Sequence, residues 1–246
     1  MSPRPPMHAL TGECLLAACE QAQGEHPLLR PLTLLAAAMP THDRQALLEL
    51  PLGARDRLLL ELRRLSFGPT LRGYASCPQC GTGMEFGLEV AEALQTIAAT
   101  DQPTSVGWHE AGMDLQLRQA TTADLLACAR TPMPAQAVRS LLARCLGVSA
   151  SSVDTDQRVD LPSVRAHFDR LHADSEWRCV LRCPQCTHED IWNLDIGDFI
   201  WIEARHAARR LLTDIHTLAM HYGWSEPAIA ALSQQRRDAY LELLGA

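Results

Sequence analysis

Two Cys-Pro-Gln-Cys segments contain the residues of this 246-residue chain that are best suited to chemistry. Each segment supplies two thiols at the Cys-x-x-Cys spacing, and four thiolates from two such turns form the tetrahedral sulfur shell of a structural zinc site. Because this shell leaves no position open for water, the pattern predicts one structural, non-catalytic zinc ion per chain. The predicted ligands are Cys77, Cys80, Cys183 and Cys186.

Two other uses of these cysteines remain as alternatives. The pairs could stay independent and reduced, or they could serve redox chemistry or disulfide formation. A redox pair depends on a helix N-terminus that lowers the thiol pKa, whereas strand-like alternation follows both pairs in this sequence. Zinc binding is therefore the favoured use. His188 is an alternative ligand, although it follows Cys186 too closely for a common zinc-finger spacing.

The two cysteine segments belong to a short internal repeat. The string CPQCGTGMEFGLEV aligns with CPQCTHEDIWNLDI, which places Phe86 opposite Trp192. Apolar residues alternate with other residues after each segment, and this period of two predicts a β-hairpin in each copy. Gly81 follows the first pair and can take the left-handed conformation of such a turn, whereas Thr187 stands at that position in the second copy.

Helical periodicity dominates the remaining sequence, so we expect an α+β fold that is mainly α. Helical N-terminal and C-terminal parts are predicted to surround a split four-cysteine zinc ribbon of two β-hairpins, with a mixed α/β insertion between the two cysteine segments. The predicted units are an N-terminal helical bundle (1–70), a first zinc-ribbon half (71–97), an inserted hairpin with helices (98–175), a second zinc-ribbon half (176–197) and a C-terminal helical arm (198–246).

Local signals predict several helix boundaries. A long amphipathic helix is expected to start near residue 197 and to end at Gly223, because glycine readily takes the left-handed conformation of a helix C-terminus. Ser225 is expected to begin a short helix after it. Within the insertion, Thr121 and Asp124 have the spacing of a capping box, with Asp in place of Glu.

The charge balance argues against several classes of partner. All 22 basic residues are arginine, and 29 acidic residues give a formal charge of −7, whereas a nucleic-acid-binding protein usually carries a basic face. No apolar run reaches the ~18 residues that cross a bilayer, so we expect no membrane association and a cytoplasmic location, with association with an assembled particle as the alternative. The nine cysteines do not resemble the dense framework of a small secreted domain, which favours a reducing compartment.

The sequence lacks three common catalytic motifs. A glycine-rich phosphate loop, a nucleophile elbow and an HExxH metal motif are absent, so we predict a protein that is not an enzyme and has no small-molecule substrate. The histidines, His172 among them, are expected to be ordinary surface or boundary residues. Cys179 is either a core residue or a spare thiol. The cysteines expected to act as small hydrophobic residues in apolar helices are Cys14, Cys19, Cys128 and Cys145.

Four segments resemble a family of proteins associated with contractile tails. They are HPLLRPLTLLAAA, LPLGARDRLLLELR, FGPTLRGYASCPQCG and LAMHYGWSEPAIAALSQQRRDAYLEL. The chain is similar in these segments to the T-even phage baseplate proteins described as hub assembly chaperones, and to related proteins of bacterial phage-like contractile injection systems. The resemblance covers both ends of the chain and the two cysteine segments, and it is weakest across 98–175. It implies a non-enzymatic factor that helps a baseplate or hub assemble, with baseplate or hub proteins as its partners.

The most specific part of this resemblance is the C-terminal Tyr-Gly-Trp-Ser element and the helix after it. There a glycine ends one helix and a serine begins the next, so the tryptophan is held at the bend, where it can pack inside the protein or contact a partner. The candidate partner-binding residues are Trp224, Arg236, Arg237 and Tyr240. A plain core corner is the alternative.

Two other functions remain as alternatives to the assembly factor. The chain could be a permanent structural subunit of the baseplate, or a zinc-ribbon adaptor for nucleic acid or transcription. The sequence around the cysteine pairs lacks the local excess of basic residues that phosphate contacts require, which argues against the adaptor.

Overall fold

Four helices open the chain, and a 3₁₀ turn at Pro27–Leu29 leads into the second of them. Asp43 starts the third by accepting a hydrogen bond from the Gln45 N–H, a cap that the sequence analysis did not single out. These helices are α1 (Gly12–Gln23), α2 (Arg30–Ala38), α3 (Arg44–Leu48) and α4 (Leu52–Phe67). The computed structural model describes residues 6–99, 103–173, 175 and 177–245.

Three two-stranded antiparallel hairpins make up the sheet structure of the described residues. The strands are β1 (Thr70–Ser76), β2 (Gly83–Glu89), β3 (Ser105–Glu110), β4 (Met113–Arg118), β5 (Trp177–Arg182) and β6 (Glu189–Leu194). Gly73 lies opposite Phe86 in the first hairpin, and Cys179 lies opposite Trp192 in the third. These pairs occupy equivalent positions of the sequence repeat, so the two cysteine hairpins share one register.

A helix follows each of the two cysteine hairpins, which extends the repeat beyond the strands. The later helices are α5 (Val90–Ala99), α6 (Thr122–Cys128), α7 (Pro134–Cys145), α8 (Pro162–Leu171), α9 (Ile196–Tyr222), α10 (Glu226–Ala230) and α11 (Gln234–Gly245). The strand-like alternation of the sequence continues to Val90, but this residue begins α5 and is fully buried in the main core. Burial against the helices therefore ends the strand that period-two alternation alone would extend.

The main core is built around α9, which packs against α1, α2, α4 and the two C-terminal helices. One face of α9 is buried along its length, as Ile200, Ala204 and Leu211 illustrate. Gly223 ends this helix in the left-handed conformation, as the sequence predicts, with φ of 68°. Ser225 precedes α10, although its side chain makes no capping hydrogen bond.

The insertion has a smaller core of its own, in which α7 and α8 pack together and α8 contacts the β3–β4 hairpin. Its buried residues include Leu117 and Val164. The predicted capping box is present, since the Thr121 side chain accepts from the Asp124 N–H and the Asp124 carboxylate accepts from the Thr121 N–H.

The fold is therefore mainly helical with small antiparallel hairpins, as the sequence predicts. Among the residues that the structure describes, no helix combines the length and the apolar character needed to span a membrane.

Candidate metal centre

The four predicted ligands meet where the two cysteine hairpins contact each other. All four Sγ atoms lie within 4.8 Å of one another. The Sγ atoms of Cys77 and Cys186 are 3.6 Å apart, and so are those of Cys80 and Cys183. Both short separations join one hairpin to the other, so the cluster is shared between them and could hold a metal ion.

Backbone hydrogen bonds set the shape of the first turn. The N–H of Cys77 donates to the Thr82 carbonyl at 2.9 Å, and the N–H of Gly81 donates back to the Cys77 carbonyl at 2.9 Å. Gly81 has φ of 75°, the left-handed conformation expected of it. This closed turn holds both thiols of the first pair on the same side of the hairpin end.

The second turn repeats this pattern despite the change from glycine to threonine. The N–H of Cys183 donates to the His188 carbonyl at 2.8 Å, and the N–H of Thr187 donates to the Cys183 carbonyl at 3.0 Å. Thr187 takes φ of 61°, a conformation that strains a β-branched residue by about 1 kcal/mol. Threonine in place of glycine therefore adds strain to the second turn, but the turn keeps the same backbone hydrogen bonds as the first.

The electrostatics of the thiols differ between the two turns. Hydrogen bonds with the Thr82 side chain and backbone lower the pKa of the exposed Cys80 thiol to about 6. The His188 backbone likewise lowers the pKa of Cys186, but burial and hydrogen bonds with the other three thiols raise it to about 12 overall. Four thiols this close together cannot all lose their protons unless a cation compensates the negative charge.

The cluster is sheltered on one side and open on the other. Cys77 and Cys183 are buried, with exposed fractions of 3% and 1%. They pack with apolar side chains of the hairpins, which include Met84 and Trp192. Cys80 is exposed, so an ion could enter from that side.

His188 is the alternative ligand that the sequence offers in place of a cysteine. Among the described residues, the close group of ligand atoms consists of the four thiols. His188 instead contributes its backbone to the second turn. The cysteines themselves are all free thiols.

The remaining cysteines behave largely as small hydrophobic residues. Burial raises the pKa of Cys19 to about 11 and that of Cys145 to about 12, which makes both unreactive. Cys128 is also buried, and Cys179 is half-buried opposite the tryptophan of β6. Cys14 is the exception, because it is exposed on α1 and the prediction of an apolar position was wrong there.

The predicted partner-binding residues fall into two environments. Trp224 stacks on Tyr222 with ring centroids 4.8 Å apart and meets Tyr240 edge-on at 4.9 Å. Arg236 is exposed on α11, one helical turn before Tyr240 and therefore on the same side of that helix. Arg237 is buried, and its guanidinium donates to the Leu232 carbonyl at 2.5 Å and pairs with an α9 carboxylate at 3.3 Å. Arg237 therefore joins α9 to α11, and Arg236 is the arginine left exposed.

A polar cluster in the insertion was only partly visible in the sequence. Asp124 was singled out as a cap, but its buried carboxylate also accepts from Arg118 at 2.6 Å and from Arg144 at 2.9 Å. His172, expected near the surface, is buried, and its Nε2 accepts from the Ala120 N–H at 2.7 Å. Arg144 lies 20 residues from Asp124, and His172 lies 52 residues from Ala120, so the fold brings these partners together.

Two features of the described residues thus stand out, the four-thiol cluster and the aromatic corner of Tyr222, Trp224 and Tyr240. The first could hold a metal ion, and the second joins α9 to α11. No family model, no curated protein and no solved structure matches the chain.

Proposed function

We propose that the four thiols hold one structural zinc ion per chain. A tetrahedral zinc site with Zn–S bonds of about 2.3 Å has sulfur atoms about 3.8 Å apart. The two separations of 3.6 Å across the hairpins are close to this value. An all-sulfur set suits zinc or an iron–sulfur centre, and a closed shell of four thiolates supplies cross-linking and no catalytic water.

The zinc would tie together two hairpins that are far apart in the sequence. Each hairpin alone offers two ligands and a small apolar face, and an isolated two-stranded hairpin is marginally stable in water. Because the ion is shared, the stability of each hairpin would depend on the presence of the other. The helices that follow them, α5 and α9, both pack in the main core, so the ion would also fix the hairpins relative to that core.

Cysteine substitutions test the shared site. Cys80→Ser and Cys186→Ser should each abolish stoichiometric zinc, because each leaves three ligands drawn from both hairpins. Cys14→Ser is a matched control, since this thiol is exposed on α1 and lies outside the cluster. Zinc would be measured by elemental analysis of the folded variants. If one of the two ligand variants kept its zinc, the hairpins would not share one site.

We also propose that the chain is a non-enzymatic assembly factor for the baseplate or hub of a contractile phage tail or phage-like injection system. The observation that carries this proposal is the resemblance of its N-terminal, cysteine and C-terminal segments to baseplate assembly proteins. The most specific of these segments contains the aromatic corner. Its half-buried Trp224 and Tyr240 and the exposed Arg236 one helical turn before Tyr240 offer the residue types that dominate protein interfaces.

Genetic deletion with complementation tests this function. In a host that encodes the chain together with a contractile particle, deletion should remove most sheathed particles seen by electron microscopy while growth stays normal. The wild-type gene should restore them, and Arg236→Ala should restore them less well. Normal particle numbers in the deletion strain would contradict the proposal.

Mass spectrometry of purified particles separates the assembly factor from its main alternative. Absence of the chain from mature particles supports a chaperone that leaves after assembly. A fixed stoichiometric amount supports a permanent structural subunit of the baseplate.

A further inference from the structure

The outer face of α9 carries a regular seam of apolar and basic residues. They recur at spacings of three and four, which keeps them on one side of the helix, next to the buried face. Ile202 is 38% exposed, Leu212 49% and Met220 71%. We call this surface the α9 seam; its residues are Ile202, Arg205, Arg209, Leu212, His216 and Met220.

The arginines of the seam have no acidic partner within the described chain. No hydrogen bond or ion pair among the described residues involves the side chain of Arg205 or Arg209, and the Nε atom of Arg205 is buried without an acceptor. Of the acidic residues of the same helix, Glu203 and Asp214 are engaged in ion pairs with α4 and α11, and Asp198 lies in the first turn, before the seam begins. The seam is therefore a basic surface on a chain of net charge −7.

We infer that the α9 seam binds an acidic amphipathic helix of a partner protein. The alternating spacing of three and four is the pattern that packs against another helix, and it extends about 27 Å from Ile202 to Met220 at 1.5 Å per residue. Apolar residues of the partner would cover the exposed side chains, and its carboxylates would pair with Arg205 and Arg209.

Charge argues against the other occupants of such a face. A second copy of this chain would bring two sets of unpaired arginines together, and like charges oppose that contact. A nucleic acid would pair with the same arginines but would leave the apolar side chains of the seam uncovered, and binding to anionic vesicles is compared with peptide binding in the test below. The inference rests on the proposed function only in that the chain acts by binding a protein.

Two designed peptides test the seam. Both have about 21 residues with leucine at the heptad a and d positions, and one carries glutamate and the other lysine at the flanking positions. Fluorescence anisotropy would measure their binding to the full-length protein at about 50 mM salt, where charge pairing is weakly screened. The glutamate peptide should bind at least tenfold more tightly than the lysine peptide.

Charge reversal then locates the binding surface. Arg209→Glu changes an exposed residue, so the fold should persist, and it should weaken binding of the glutamate peptide at least tenfold. Arg165→Glu, at an exposed position of α8, changes the net charge equally and should leave binding unchanged.

Several results would overturn the inference. These are equal binding of both peptides, an Arg209→Glu variant that binds like the wild type, self-association that requires Arg209, or binding to phosphatidylserine vesicles in preference to the glutamate peptide. Particle assembly in the deletion strain is a separate measurement. A seam that fails this test therefore leaves the proposed assembly function standing, and a failed assembly test leaves the seam standing.

Discussion

Replacing Arg63 with alanine should destabilise the helical core far more than the same change at the neighbouring Arg64. Arg63 is 2% exposed on α4, and its Nε and Nη2 atoms donate to the two carboxylate oxygens of Glu203 on α9 at 3.0 and 2.8 Å. Its Nη1 donates to the Gly68 carbonyl at 2.6 Å, at the point where α4 ends. One side chain thus joins α4, α9 and the entry to β1.

The expected loss follows from burial on both sides of the pair. Removing one partner of a fully buried ion pair costs about 3–5 kcal/mol, because the other charge is left uncompensated. The Glu203 side chain is 24% exposed and can regain some water, so we expect a loss of about 2–3 kcal/mol for Arg63→Ala. Arg64 pairs with Glu61 at i,i+3 and is 44% exposed, so Arg64→Ala should cost about 0.5 kcal/mol or less.

Urea unfolding followed by circular dichroism at 222 nm would measure both losses under the same conditions. A double-mutant cycle of Arg63→Ala with Glu203→Gln should give a coupling energy of about 1 kcal/mol or more, since the two side chains form a bidentate pair. The reasoning is refuted if Arg63→Ala costs no more than Arg64→Ala, or if the cycle shows no coupling.

Three further changes have defined outcomes. Trp224→Ala removes two aromatic ring contacts of a half-buried side chain and should cost about 2 kcal/mol in urea unfolding; a loss below about 0.5 kcal/mol would show that the corner contributes little to the fold. Burial opposes ionisation of Asp124, but hydrogen bonds from arginine and the cap lower its pKa to about 2, below the unfolded value of about 3.9. Its contribution to stability is therefore complete above about pH 4 and is lost as the pH falls towards 2, and Asp124→Asn should flatten that part of the stability profile. Gly12→Ala should lower the free energy of unfolding by about 1–2 kcal/mol, because φ is 52° and a Cβ atom would lie 2.5 Å from a carbonyl oxygen of α10. Gly24→Ala is the control, since φ is −82° there and the space around it is open, and it should be neutral or slightly stabilising in the same assay.

The features that could be predicted from the sequence are those set by short motifs or by the internal repeat. The Cys-x-x-Cys spacing identified the four clustered thiols, and the aligned strings predicted two hairpins of equal register. Gly223 marked the end of α9 because a left-handed C-terminus needs little more than one residue. Each of these signals lies within a short segment of the sequence, so no knowledge of the fold was needed to interpret it.

Features that depend on the tertiary structure could not be predicted, because the residues that form them are far apart in the sequence. Val90 continues the strand alternation in the sequence, but it is buried in the main core at the start of α5. His172 and Arg237 have polar side chains that the sequence places at the surface or an interface, yet each finds hydrogen-bond partners inside the fold. Arg237 pairs with Asp214, 23 residues away, and His172 accepts from Ala120, 52 residues away, and such separations leave no periodic signal.

Native mass spectrometry of the purified chain, produced with zinc in the medium, tests the central claim most directly. One zinc ion per chain is expected, because the four thiols form a single cluster shared by both hairpins. A mass that corresponds to two zinc ions, to an iron–sulfur centre or to no metal would contradict the shared zinc site.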